Sequence, residues 1–304
     1  MIEHRYVESS PDGVRVHVAE EGPSAAGAGK ARPVVLLHGF PEGWFSWRAQ
    51  MKALADAGYR AVAPDLRGYG DSDKPAGVAM YKASRIADDV ASVIRSLDVG
   101  PVPVVGHDWG AMIAYRVAMD HPELVSRLVI MNGPHPLHFT RVLRQSAAQR
   151  KRSWYIFFFQ LPLLPERMLL RSGTMKRIFH GAVSEEALRE YEEAFARPGV
   201  ATSAVNFYRA ARTRDREAKQ KIIDKDVLVI WGVRDVALGF ECLEGLERWV
   251  PRVRIERLEH AGHFVQQEAA EDVSAILLRE LGEGARLHPP EVRASRAEGS
   301  VKGS

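Results

Sequence analysis

The apolar positions fall into short runs whose character changes along the chain. HRYVES (residues 4–9) and VRVHVAEE (14–21) mix apolar and polar residues in the manner of half-buried strands. Pro11-Asp12-Gly13 lies between them as a tight-turn signal, so the pair predicts a hairpin. VVLLHG (34–39) shows no alternation, which predicts a strand buried on both faces. Helix-like and strand-like stretches then take turns. The order is helix 46–57, strand YRAVAPD, helix 81–97, strand VPVVGHD, helix 110–120 and strand RLVIMNG. Apolar strands alternating with helices predict a parallel, helix-covered sheet.

The rhythm stops after Asn132-Gly133-Pro134. Residues 135–216 carry helical patterns and no convincing strand. It resumes with strand VLVIWG, helix 240–249, strand VRIERLE and helix 266–281. The expected organisation is one α/β core, residues 1–134 and 217–285, interrupted by a helical insertion at 135–216. The stretch 286–304, rich in Pro, Gly, Ser and Arg, reads as a disordered tail.

Composition adds exclusions. Of 304 residues, 46% are hydrophobic and 27% charged, ordinary for a soluble globular chain. The single cysteine, Cys242, excludes an internal disulfide framework and a multi-thiolate zinc site. A formal charge of +3 is too small to imply a nucleic-acid partner. Basic residues cluster at Arg141, Arg144, Arg150, Lys151 and Arg152, and again at Arg209, Arg212, Arg214 and Arg216; solvated helix faces are the expectation. The most apolar run, Trp154 to Leu164, is far short of the ~20 residues of a membrane span. No signal-peptide pattern opens the chain, so the cytoplasm is the expected compartment.

The chemistry sits at the strand ends. Gly106-His107-Asp108-Trp109-Gly110 follows an apolar strand and opens a helix, the pattern of a nucleophile elbow. Its central residue is Asp, not Ser. A carboxylate attacking a carbonyl would form an anhydride. Held in line with an electrophilic sp³ carbon, it displaces a leaving group and forms an ester. Ester, lipid and peptide hydrolysis are thereby disfavoured. Water must then break that ester, and water needs a base. His263 in Ala-Gly-His-Phe follows VRIERLE, and Asp235 in Gly-Val-Arg-Asp follows VLVIWG. Both loops lie beyond strand carboxyl ends, where open α/β sheets place their sites. Asn132, in the loop after the preceding strand, carries no charge, which leaves Asp235 as the acid that orients His263. The backbone N–H groups of Phe40 and Trp109 are placed to form an oxyanion hole.

HGFPEGWFSWR, DLRGYGDSDKP, GHDWGA and HAGHF, in this order, resemble the epoxide hydrolases of the α/β-hydrolase fold, along the whole folded chain. The resemblance implies a mostly parallel eight-stranded sheet with the insertion as a helical cap. It implies a triad of Asp108, Asp235 and His263 beside an oxyanion hole of Phe40 and Trp109. It also implies two cap tyrosines that hold the epoxide oxygen; Tyr155 and Tyr208 match their contexts. The need is chemical: an epoxide expels an alkoxide, and a phenol of pKa ~10 can protonate it. A departing halide needs no proton. Haloalkane dehalogenases share GHDWG but often carry Asn where this chain has Phe40. Fluoroacetate dehalogenases carry arginines where this chain has Trp109 and Met112.

The expected reaction is therefore cofactor-independent hydrolysis of a small hydrophobic epoxide by water, with no metal. A dehalogenase and a non-catalytic ligand-binding protein are the other readings. His38, Pro41, Trp44, Trp154, Phe158, Leu161 and Phe264 are candidate pocket residues, with core packing as the competing role. Glu42 reads either as a positioner of the hydrolytic water or as a solvated loop residue. His135 and His138 read as hinge-loop residues, not metal ligands.

Overall fold

The computed structural model describes residues 1–10, 12–23 and 32–282. The expected tail at 286–304 lies outside the described residues, as does Pro11 of the hairpin turn. The eight strands are β1 (Glu3–Ser9), β2 (Val14–Glu21), β3 (Arg32–Leu37), β4 (Tyr59–Pro64), β5 (Val102–His107), β6 (Val125–Met131), β7 (Val227–Gly232) and β8 (Val253–Leu258). They form one sheet in the order β1-β2-β4-β3-β5-β6-β7-β8. The pairs β1/β2 and β2/β4 are antiparallel, and every other pair is parallel.

Unbroken apolar runs become central strands because successive side chains must serve two cores. Val35 and Leu37 of β3 face one apolar cluster, and Val34 and Leu36 face the other. The same split divides Val104 from Val105, Ile130 from Met131, and Val229 from Ile230. The first face is covered by α2 (Ala83–Arg95) and α3 (Trp109–Asp120). The second face is covered by α1 (Arg48–Asp56), packed against the last helix of the chain, Ala270–Leu281. At the edge, β8 is mostly solvated and carries Arg254, Glu256 and Arg257, charges that discourage pairing with another chain.

Between β6 and β7 the described structure is helical only. It comprises α4 (Pro136–Gln145), α5 (Ala147–Arg152), α6 (Trp154–Phe158), α7 (Leu164–Leu169), α8 (Thr174–Phe179), α9 (Glu185–Ala196) and α10 (Val200–Ala210). The helices stop at Ala210, so residues 211–216 extend the insertion without helix. Two side chains weld it together and to the core. Arg209 donates to Phe159 O, Leu161 O and Glu166 Oε1, at 3.1, 2.6 and 2.6 Å. Gln149 donates to Ala237 O at 2.8 Å and accepts from Gly239 N at 2.8 Å, joining α5 to the loop after β7.

Three sequence expectations change. Residues 240–249 do not form one helix but two short 3₁₀ turns, Phe240–Cys242 and Leu246–Arg248. Gly245 sits between them at φ +83°, a left-handed conformation that breaks a right-handed helix. The helix expected at 266–281 is two, α11 (Val265–Glu268) and α12 (Ala270–Leu281), parted at Ala269. The second basic run is not a solvated face throughout. Besides Arg209, Arg216 pairs with Asp88 and Asp120 at 3.1 and 2.9 Å.

The elbow depends on close approach. A Cβ built on Gly110 would lie 2.0 Å from the Leu37 carbonyl oxygen. Gly110→Ala must therefore push α3 away from β3, at a cost of roughly 2 kcal/mol or more. The expected outcome is a thermal midpoint several degrees lower, read by scanning calorimetry; an unchanged midpoint refutes the close-packing account.

Candidate active site

All the sequence-selected triad positions lie at the carboxyl ends of parallel strands. Asp108 follows β5 and caps the start of α3 with φ +51° and ψ −115°, an uncommon conformation for a residue with a Cβ. The backbone fixes it there. Asp108 N donates to Met131 O at 3.1 Å, and Asp108 O accepts from Ala111 N and Met112 N at 3.1 and 3.2 Å. This turn lifts the carboxylate above the sheet.

The two carboxylate oxygens have different surroundings. Oδ1 accepts from Phe40 N at 3.0 Å. Oδ2 lies 3.6 Å from His263 Nε2, an ion-pair distance. The Phe40–Pro41 peptide is cis. Trp109 is the first residue of α3, so its N–H is among the amides the helix leaves without an internal acceptor.

His263 Nδ1 meets Asp235 Oδ2 at 2.8 Å. The Asp235 side chain is fully buried and completely engaged. Its Oδ1 accepts from Ala237 N and Leu238 N at 2.7 and 2.9 Å, and its Oδ2 also accepts from Asn132 Nδ2 at 2.7 Å. Asn132 in turn accepts from Gly232 N at 2.8 Å. The uncharged residue set aside as an acid is thus a positioning residue for the acid. The sequence signal is an Asn directly after a buried strand, a residue type that tolerates the left-handed backbone (φ +37°) found here.

Charge follows geometry. Burial pushes the Asp108 carboxyl up, but His263 and the Phe40 amide outweigh it, so the pKa falls below the ordinary value. Burial likewise opposes charge on Asp235, and His263 with the loop amides again prevails. His263 moves well above 6.5: burial pulls it down, but two carboxylates hold its proton more strongly.

Tyr155 on α6 and Tyr208 on α10 meet across the site, with ring centroids 5.9 Å apart at 83°. Both line the cavity space that contains Asp108. Tyr208 also packs edge-on to Trp109, 5.1 Å between centroids, and to Phe40 at 5.5 Å. Burial raises both phenol pKa values, and the Asp108 charge raises them further, so both stay protonated donors.

Two cavities share Asp108, Tyr155 and Tyr208. The larger, about 660 Å³, includes Trp154, Phe158, Met168, Ile178 and Phe264. The smaller, about 350 Å³, includes Met112, Leu137, Phe139 and Phe207. Of the candidate pocket residues, Trp154, Phe158 and Phe264 therefore line the site.

The others do not. His38 is fully buried and bridges Gly39 O and Leu66 N at 2.9 Å each. Pro41 and Trp44 border a separate cavity with Arg48, Asp71 and Arg197. Leu161 points to solvent because Arg209 ties down its carbonyl while its side chain lies outside the bundle. Met168 and Ile178 line the larger cavity with no signal in the sequence, because residues of the helical insertion carry no motif, whereas Met112 lies on α3 just past the elbow.

Glu42 is not a solvated loop residue. It is buried and accepts from four donors: Gly39 N at 3.0 Å, His107 Nδ1 at 2.8 Å, Gln266 Nε2 at 2.9 Å and Gln267 Nε2 at 2.8 Å. His107 continues the link to His263 O at 2.8 Å. His135 and His138 are buried, and among the described residues no cluster suited to a metal ion occurs. Cys242 is buried, and its thiol pKa is raised by burial, so it is no nucleophile.

A parallel sheet with its polar constellation at the strand carboxyl ends and a nucleophile-elbow turn defines an α/β hydrolase. A family model described as the alpha/beta hydrolase fold matches residues 32–270. The chain is 33% identical over 287 residues to epoxide hydrolase 2 of Caenorhabditis elegans, covering 90% of this chain and 78% of that one. It is 34% identical over 277 residues to the AB hydrolase superfamily protein YfhM of Bacillus subtilis, covering 89% and 95%. The inhibitor complex of a Bacillus megaterium epoxide hydrolase superposes with a TM-score of 0.81 at 29% identity, covering 90% and 99%. The chain belongs to the α/β-hydrolase family, as an enzyme whose relatives and structural neighbours include epoxide hydrolases.

The raised His263 pKa makes a stability prediction. A raised base stabilises the fold fully below its unfolded value of about 6.5 and loses that contribution as pH rises through the folded value. The depressed Asp108 and Asp235 act oppositely, and their contribution is lost only as pH falls through the carboxylate range. His263→Gln is therefore expected to cost more thermal stability near pH ~6 than near pH ~10. A midpoint difference independent of pH contradicts the raised value.

Proposed function

We propose that this protein hydrolyses hydrophobic epoxides to vicinal diols through an ester on Asp108. The observation that carries the reading is the pair of protonated phenols, Tyr155 and Tyr208, sharing one cavity with an ionised carboxylate. In this reading residues 135–216 act as the cap that supplies both phenols. Apolar lining favours an apolar substrate body.

The first step uses Asp108 Oδ2, because Oδ1 is held by Phe40 N–H. An Oδ2 electron pair forms a bond to an oxirane carbon. The carbon–oxygen bond breaks toward oxygen, and Tyr155 or Tyr208 supplies the proton. Ester formation removes the Asp108 charge. That charge had raised both phenol pKa values, so the donors become more acidic as they are needed.

The second step uses the same loss of charge. His263 loses one of the two carboxylates that held its proton, so its pKa falls toward that of a useful base. His263 passes its resting proton to the phenolate left by the first step; now neutral, it takes a proton from water, and the hydroxide adds to the ester carbonyl. Oδ1 becomes the oxyanion facing Phe40 and Trp109 N–H groups; one such donor is worth ~10²–10³ in rate. Collapse returns the electron pair to the diol oxygen, which takes the proton from His263. The regenerated Asp108 carboxyl carries one oxygen from water and gives its proton to His263, which restores the resting ion pair.

Epoxides and 1-haloalkanes assayed side by side test the reaction class. Diol formation is expected; halide release without diol overturns the reading. Under single turnover in heavy-oxygen water, label is expected in Asp108 and not in the diol. Label in the diol at the first turnover means direct attack by water. His263→Gln is expected to accumulate the Asp108 ester, detectable by intact mass. Tyr155→Phe and Tyr208→Phe are each expected to slow alkylation about 10–100-fold, and together by about 10³-fold or more.

A further inference from the structure

The segment around the mouth of the larger cavity combines two features that the reaction does not use. The first is exposed apolar surface. Trp154 is 60% exposed, Phe157 56% and Leu163 65%, and Leu161, Leu164 and Leu170 are also exposed. These six fall within one stretch of chain at α6 and α7. Singly, exposed leucines mean little, but a concentration of them marks an interaction surface. Leu163 adds a point about cost. It holds φ +61°, a left-handed conformation disfavoured for a residue with a Cβ, and this conformation turns an apolar side chain toward water. Pro162 and Pro165 flank it, and Arg209 anchors the loop at Leu161 O. The projection is built, not frayed.

The second feature is charge. Residues 141–180 contain nine basic side chains and one acidic, Glu166. Glu166 is already paired with Arg209. Arg152 pairs with Glu241 and Lys176 with Glu185. Among the described residues, Lys151, Arg167, Arg171 and Arg177 form no ion pair. Arg152, Arg171 and Arg177 line the larger cavity together with Trp154, so cations and apolar groups share its mouth.

We propose that this face docks on the surface of an anionic phospholipid bilayer, with the leucine loop entering the acyl boundary and the cations meeting the headgroups. Amphipathic surfaces with tryptophan and leucine on one side and Lys/Arg beside them bind such interfaces by buried apolar area plus attraction to anionic lipid. No described helix is long and apolar enough to cross a membrane, so contact is peripheral. A second copy of this chain is the less suitable occupant, because a two-fold contact would set one unpaired cationic patch against another. The docked orientation turns the larger cavity toward the lipid, where apolar molecules partition. The docking rests on the surface alone and stands whether or not epoxides are the substrate.

The experiment is flotation of the full chain with phosphatidylcholine vesicles, with and without phosphatidylglycerol. Binding is expected only with phosphatidylglycerol, weakening as salt rises. Leu163→Asn/Leu164→Asn removes the apolar tip; Asn tolerates the left-handed φ of position 163, and position 164 is the exposed first residue of α7. Lys151→Gln/Arg167→Gln removes charge away from the cavity lining. Each double variant is expected to weaken vesicle binding at least about fivefold. Both are expected to keep the wild-type thermal midpoint and turnover of a water-soluble epoxide. Absence of binding to either vesicle overturns the proposal, as does binding that both variants retain. Concentration-dependent dimerisation abolished by Leu163→Asn/Leu164→Asn assigns the face to a second copy and also overturns it. Failure of the epoxide assay alone, with vesicle binding intact, refutes the function and not the docking.

Discussion

The structure depends on keeping one partly buried carboxylate ionised. Removing Asp108 from bulk water favours its neutral form. His263 at 3.6 Å and the Phe40 N–H at 3.0 Å reverse that preference. Each of these needs its own support. His263 is held by Asp235, which is held by Asn132 and two loop amides. Phe40 is held in the turn that Glu42 closes through the Gly39 amide. The loops after four parallel strands, β3, β5, β6 and β7, carry these residues, and His263 alone follows β8. The sheet is the ruler that brings them within hydrogen-bonding reach.

The proposed chemistry exploits a property of such a cluster: its members read one another's charge. In the resting state Asp108 keeps the histidine protonated and the tyrosines reluctant to ionise. Alkylation erases one charge and loosens both. A single bond-forming event therefore prepares both the proton donor for the first step and the base for the second. No moving part is required, only short distances in a site partly shielded from water.

The insertion serves two surfaces of opposite character. Toward the core it presents Phe159 and Tyr208 to Phe40, and Tyr208 also to Trp109, while Tyr155 packs edge-on to Phe159 and Tyr208. Toward solvent the same stretch presents Trp154, Phe157, Leu163 and a set of unpaired cations. Arg209 connects the two, because it follows Tyr208 in sequence and fastens the loop that carries Leu161 and Leu163. An apolar exterior so close to an apolar cavity gives the proposed lipid contact its geometric sense.

The chain itself determined the sheet, the elbow and the triad. Strand runs are contiguous in sequence, and elbow and loop motifs are local, so periodicity and spacing carry them. Tyr155 and Tyr208 were legible only through resemblance, since nothing in the spacing of two helical tyrosines says that they meet. The tertiary structure decided the rest. Glu42, Trp44, Pro41 and His38 share one motif with Phe40, yet β3 and the turn after it direct them into the core or a separate cleft. Asn132 acquired its role from a neighbour a hundred residues away in sequence, and Arg209 turned from a surface charge into an anchor. The opening of residues 240–249 into two turns followed from the backbone of Gly245. Sequence spacing fixes which residues share a strand or helix face; direction in space, and therefore which of them line one cavity, is set by how the faces pack.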